Sequence, residues 1–350
     1  MNEGKAPDGR LPTFDIPLPT TAMGILPHRD PERALDLAFS LDIPFWPQLP
    51  NVSYSEDTYV QTVRGFPGAV VDHQGLRIVF DEELFLAGLE EYLELDPTDD
   101  LFAVSPEESL TYAGFLERAS EKHTALRGQF MGPISLALMI KDRENKPVIY
   151  RDEVRELLVR HVANRVNRHL HDLREINPRS FVWVDEPGLE FLFTGITGYA
   201  AESARTDLAL FFSLLEGPRG VHLCGNPDWD FLLRSDLDLL SLDAYNNREI
   251  LTGYRSGLAA LFRRGGSVAW GAVPTHTSLL EGENPRSLAD RLLSIWKSLE
   301  EEDLEPGRLL SRSLLTPATC CLVNPDLTAT MEKAFSMLHE VRDLLAGRTN

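Results

Sequence analysis

Residues 180–245 carry three similar phrases: SFVWVDEPG (180–188), RGVHLCGN (219–226) and LDLLSLDAY (237–245). Each is a short apolar run that ends in polar or acidic groups. Each precedes a helical stretch, at 202–215, 228–234 and 248–264. Strands alternating with helices predict parallel βαβ units. Downstream the pattern continues as GSVAWGAVP (266–274) with a helix at 287–302, then RLLSRSLLTPATC (308–320) with a closing helix at 328–345. Upstream, GQFMGPISL (128–136) reads as strand into turn before a long amphipathic helix at 151–175. Earlier still come TTAMGIL (20–26), a helix at 30–41 and the apolar segment IPFWPQL (43–49). Asp30-Pro31-Glu32 opens that first helix with an N-cap, a proline at the first position and an acid at the positive end of the dipole.

The strand candidates lie near 22, 45, 130, 183, 221, 240, 269 and 315. Eight βα units predict an α/β fold, a single (β/α)8 TIM barrel over 18–350. No GxGxxG follows the first strand, against a dinucleotide-binding sheet. Residues 50–126 are too long for a simple connection and read as an insertion between the second and third strands. They carry helices at about 81–95 and 106–122 around an acidic loop, and would serve as a lid or a subunit contact. Tyr54, Tyr59 and Phe66 suit either role. Residues 1–17 read as a loose N-terminal arm.

The chain has 350 residues, 43% of them hydrophobic, ample for a core and against wholesale disorder. With 54 Asp+Glu against 34 Lys+Arg, the net charge is −20. That argues against nucleic acid and against anionic membrane surfaces as partners. Three cysteines, Cys224, Cys320 and Cys321, are too few for a disulfide framework. No signal-peptide core or membrane-length apolar run is present, so the expectation is a cytoplasmic protein.

In such barrels the reactive groups gather at the carboxyl ends of the strands. In Val221-His222-Leu223-Cys224 the alternation puts His222 and Cys224 on one face, able to grip one ion. Asp243 ends the next strand and Cys320-Cys321 the last. A histidine, one or two thiolates and a carboxylate suit a Zn2+ shell. The bland alternative is a chance H-x-C with inert buried cysteines. Adjacent strand residues face opposite sides, so only one of Cys320 and Cys321 suits as a ligand. Asp185-Glu186-Pro187 offers a carboxylate to a substrate ammonium or proton, or else caps a helix. GPIS (132–135) brings the Ser135 hydroxyl to a strand end, or is a plain turn. His276 and His28 also follow strand ends. His161, His169 and His171 read as a solvated helix face.

GPIS, VDEPG, HLCGN, SLDAY, WGAVPT and TPATCCL occur in the order seen in the catalytic barrel of cobalamin-independent methionine synthase. Over about 18–345 the chain resembles that family and the short single-barrel relatives grouped with it and with uroporphyrinogen decarboxylase. The resemblance implies a catalytic zinc held by His222, Cys224, Cys320 and, where the family has glutamate, Asp243. It implies substrate binding by Asp185 in the amine-binding position; Glu186, Ser135 and Gly24 are the neighbouring strand-end candidates for substrate binding, and His276, by its place after the seventh strand, is the catalytic candidate. The implied reaction moves a methyl group from methylcobalamin, carried by a corrinoid protein, or from methyltetrahydrofolate, to a small thiol. Homocysteine is the first candidate and coenzyme M its rival. The family serine that contacts the amino-acid carboxylate is replaced, since Gly24 is followed by Ile25. The second acidic amine-binding residue has no counterpart in 50–126. A length of 350 leaves no room for the amino-terminal barrel of the long synthases.

The chemistry is coherent on its own terms. A thiol with pKa of about 8–9 is mostly protonated at neutral pH. Coordination to zinc deprotonates it, and cysteine ligands keep its sulfur electron-rich. Two other functions compete. A metal-free decarboxylase similar to uroporphyrinogen decarboxylase needs arginines for a polyanionic tetrapyrrole, and TAMGILPH offers none. A non-catalytic barrel that binds a corrinoid protein or a metal is the other, favoured by the departures at Asp243 and Ile25.

Overall fold

Pro44 and Pro47 shape the start of the fold. In the computed structural model, which describes residues 10–192, 198–320 and 322–349, the predicted strands near 22 and 45 form only isolated parallel bridges: Thr20 to Leu315, Ile25 to Gln48 and Phe45 to Arg127. A proline carries no N–H, so a continuous ladder cannot run through either position. The donors that remain are used: Ile43 N on Thr20 O, Trp46 N on Arg127 O and Gln48 N on Gly24 O.

The other six predicted strands form one parallel sheet in chain order. After a short hairpin, β1 (Ala69–Asp72) with β2 (Arg77–Phe80), come β3 (Arg127–Met131), β4 (Phe181–Asp185), β5 (Gly220–Leu223), β6 (Leu239–Asp243), β7 (Ser267–Val273) and β8 (Ser313–Pro317). Thus six of the eight expected strands share the sheet, and the hairpin is an element that the sequence pattern did not announce. Helices follow the strands, as predicted, with small shifts at the ends. Asp152–Ile176 is the long one, and the stretch read as one helix over 248–264 is two, Arg248–Gly253 and Arg255–Arg263.

Both faces of the sheet are buried, which is why its strands are apolar almost throughout. One set of side chains, including Phe181, Trp183, Leu239, Ala269 and Leu314, packs with Met23 and Ile43 into a small cluster. The alternate set, including Val182, Val221, Leu240 and Val268, joins the larger core. In register with the first set, Asp185 sits beside His222 and His222 beside Ser241. The polar members of that row lie near the carboxyl ends of the strands.

The insertion is fastened to helix Asp152–Ile176. The fully buried Arg165 guanidinium donates to Ala103 O (2.7 Å) and Gln61 O (2.7 Å) and pairs with Glu108 (3.1 Å). His161 bonds to Tyr92 OH (2.8 Å) and Thr62 O (3.0 Å), and His169 to Tyr112 OH (3.2 Å). The expected solvated histidine face is therefore corrected: His161 and His169 are fully buried, and of the three His171 alone reaches solvent, paired with Glu216. Burial lowers the pKa of both inner rings to about 3. Phe66 packs on Phe85, Tyr92 and His161, while Tyr54 lies edge-on to His73.

Candidate functional site

A cavity of about 230 Å³ opens at the carboxyl ends of β3, β4, β5 and β8. His222, Cys224 and Cys320 lie in its wall, with Asp185 alongside. The insertion supplies Asp57, Thr58 and Tyr59, and the remaining lining is apolar.

The period of two in β5 sends His222 inward. Its Nδ1 is hydrogen-bonded to Ser241 Oγ at 2.8 Å, while its buried Nε2 makes no hydrogen bond. Asp185, held in register beside it, has an equally unpartnered Oδ1. Burial pushes the Asp185 carboxyl up to about 6, against the pull of His222 and Arg127. The thiols of Cys224 and Cys320 meet although they arrive from different strands. Hydrogen bonding from the Cys320 thiol, and the His222 ring close by, hold the Cys224 thiol well below its usual range. The same bond and burial push the Cys320 thiol up.

Asp243 stands at the end of β6, outside that wall. Its carboxylate accepts from Asn246 N (2.9 Å) and Asn246 Nδ2 (2.6 Å), which fixes the following turn. Among the described residues, no three His, Cys, Asp or Glu side chains already stand at metal-holding distances. The donor chemistry nevertheless suits zinc: an imidazole nitrogen without a partner, oriented from behind by a hydroxyl, and two sulfurs in the same wall. Cys321 lies outside the described residues.

The other sequence candidates are placed differently. Glu186 accepts from Ile134 N (3.0 Å), Ser135 N (2.8 Å) and Ser135 Oγ (2.5 Å), and Ser135 Oγ accepts from Gly188 N (2.8 Å). The pair caps helix Pro133–Met139 and contributes nothing to the cavity lining. Burial pushes Glu186 up to about 7. Gly24 N donates to Gln129 Oε1 (2.7 Å), and a Cβ there would come within 2.4 Å of Trp46 O, so glycine serves a close backbone approach. Its neighbour Ile25 is the residue that lines the cavity. His276 is exposed at the start of helix Thr277–Leu280, and His28 is buried against Glu332 at 3.3 Å.

Several contributors escaped the sequence reading. Asp57 caps helix Thr58–Val63 by accepting from Tyr59 N (2.8 Å), an Asx signal that was visible in SEDT. Arg127, buried among the β3 residues, donates to Ala22 O and to Gln129 Oε1 (3.0 Å) and stacks 4.2 Å from Trp183. Burial lowers it to about 9. Gln129 Nε2 then donates to Gln48 Oε1 (2.5 Å), Gln48 Nε2 to Gln61 Oε1 (2.6 Å), and Gln61 Nε2 to Glu108 O (2.8 Å). Charged and amide residues at alternate positions of an otherwise buried strand were the available clue.

No protein-family model matches the chain, and no curated protein matches it. Among solved structures, it is similar to the B12-independent methionine synthase of Shewanella sp. W3-18-1 in complex with selenomethionine. Identity there is 15%, over 64% of this chain and 63% of that one, with a TM-score of 0.43. It is also similar to the putative vitamin-B12 independent methionine synthase of Listeria monocytogenes, at 15% identity over 64% of this chain and 65% of that one, with a TM-score of 0.41. The match thus spans less than two thirds of either structure's chain.

Proposed function

We propose that the chain is a (β/α)8 barrel, closed by the single bridges from Thr20, Ile25 and Phe45, that holds zinc and methylates a small thiol. His222, Cys224 and Cys320 are the proposed ligands. One observation carries this reading: a buried His222 Nε2 without a partner shares a cavity wall with two sulfurs brought from different strand ends. Asp243 is the fourth ligand candidate and must first leave Asn246. His276 lies outside the wall and has no part in the reaction proposed here.

The chain's own residues do most of the work. Ser241 sets the tilt and tautomer of His222. Before metal arrives the Cys320 thiol favours the thiolate form of Cys224, and Cys320 gives up its own proton when it becomes a ligand. Asp185 receives a cationic group of the acceptor, and the apolar wall excludes water. When bound, zinc makes the substrate thiol a thiolate near neutral pH. The methyl donor is a methyl-corrinoid on a partner protein or methyltetrahydrofolate. A tetrapyrrole decarboxylase finds less support, because the described lining offers no Arg or Lys to hold a polyanion.

Metal analysis of protein prepared without chelator tests this. We expect about one zinc per chain, as in other mononuclear catalytic sites. Cys224→Ser and Cys320→Ser should fall well below that, and Cys321→Ser should not. Methyl transfer from methylcobalamin or methyltetrahydrofolate to a thiol should fall with the zinc. A wild-type chain with little zinc, or zinc content indifferent to Cys224 and Cys320, sinks the proposal.

A further inference from the structure

Beyond the sulfurs and His222, the cavity wall has a consistent chemistry. Ile25, Pro50, Met131, Pro187, Leu223 and Leu322 make it apolar. Its charged side chains other than the proposed ligands are carboxylates, Asp57 and Asp185, and among the described lining residues there is no Lys or Arg. Arg127 is spent elsewhere, on Ala22 O, Gly128 O and Gln129 Oε1, with its guanidinium over the Trp183 ring.

Backbone amides offer an anion no better welcome. Ile134 N and Ser135 N at the start of helix Pro133–Met139 are already taken by Glu186. Tyr59 N at the start of helix Thr58–Val63 is taken by Asp57. A carboxylate, sulfonate or phosphate entering here would be desolvated beside two acids with no Lys or Arg in the described lining to pair with it, a costly arrangement. An ammonium meets the opposite situation. Asp185 is 5% exposed and its Oδ1 has no partner, so a donor carrying positive charge fills a vacant acceptor.

Resting on the thiol-methylation reading, we propose that the acceptor is a small aminoalkyl thiol, bound by its ammonium on Asp185, with no anionic group. Ile25, one of the apolar lining residues, offers an anion no hydrogen-bond donor from its side chain. In the transfer, the acceptor sulfur forms the new S–CH3 bond as the donor's bond to its methyl carbon breaks. The donor's carrier keeps the electron pair of that bond, and the thiol proton goes to solvent. The product is an aminoalkyl methyl thioether.

Calorimetric titration of the zinc-loaded protein with matched thiols tests the specificity without relying on turnover. The probes are aminopropanethiol (homocysteine without its carboxylate), butanethiol, mercaptopropanoate and homocysteine. We expect aminopropanethiol to bind about tenfold or more tighter than homocysteine and mercaptopropanoate, with butanethiol between, since an unpaired buried charge costs more than an absent contact. Asp185→Asn should erase the advantage of aminopropanethiol over butanethiol, and Ile25→Lys should favour mercaptopropanoate. The wild-type panel decides even if a variant does not fold. Homocysteine or mercaptopropanoate binding as tightly as aminopropanethiol overturns the proposal and leaves thiol methylation standing. Failure of every thiol to bind the zinc-loaded chain overturns thiol methylation itself, and this proposal with it.

Discussion

His222 Nδ1 and Ser241 Oγ lie 2.8 Å apart on neighbouring strands, an outer contact that leaves the other ring nitrogen without a partner. Groups that orient a metal-binding histidine are worth about 10–100-fold in metal affinity. Ser241→Ala should therefore weaken zinc binding by that factor while the thermal midpoint of the metal-free protein moves little. Competition against a chromogenic chelator measures it. An unchanged zinc affinity would mean that Ser241 does no more than fill the core.

Arg165 makes a different prediction, about stability. Its guanidinium is fully buried and ties Gln61, Ala103 and Glu108 to the long helix. Removing one member of a buried ion pair leaves the other charge dry, at a cost of about 3–5 kcal/mol. Arg165→Met should lower unfolding stability in urea by that much. A loss below about 1 kcal/mol would place the pair in the weak class of surface ion pairs.

The buried histidines set a pH dependence. His161 titrates at about 3 in the folded chain, against about 6.5 when unfolded. Between those values the unfolded chain binds a proton that the native chain refuses, so stability falls as pH drops from about 6.5 toward 3. One ring accounts for up to about 1.4 kcal/mol per pH unit in that window. Asp185 and Glu186, raised to about 6 and about 7, act the other way, since the native chain keeps protons there that the unfolded chain has lost. Comparing wild type with His161→Gln isolates the ring. The variant should lose less stability between pH 6 and pH 4, by about 1.4 kcal/mol per unit. Parallel pH profiles for the two proteins would refute a neutral buried His161.

The sequence made the β5 site legible because a strand has a fixed period: once RGVHLCGN is a strand, His222 and Cys224 must share a face. The same logic gave the six central strands. It failed near 22 and 45, which form only single bridges; Pro44 and Pro47 deny the second of these segments, and its pairing with the first, a full set of donors. It failed again for His161 and His169, whose surroundings come from the insertion, an element packed against them from far away in the chain. Glu186 and Ser135 looked like substrate-facing groups, yet they satisfy each other. Mutual satisfaction between distant residues leaves no trace in either one's local sequence. Tyr59 was legible only as a lid or contact residue and Asp57 only as a helix cap, since nothing local tells which insertion residues will reach the strand ends.

The glutamine file Gln129–Gln48–Gln61, continued to Glu108, bears on how molecules enter. A hinged cover must part from its seat cheaply and often. Here helix Thr58–Val63 is laced to β3 by buried amides and by Met131 N donating to Thr62 Oγ1 (2.8 Å), so lifting it would strand several dry polar groups at once. Opening that wall therefore costs the buried hydrogen bonds that fasten it. The buried amides thus favour a fixed wall over a hinged cover on that side of the cavity.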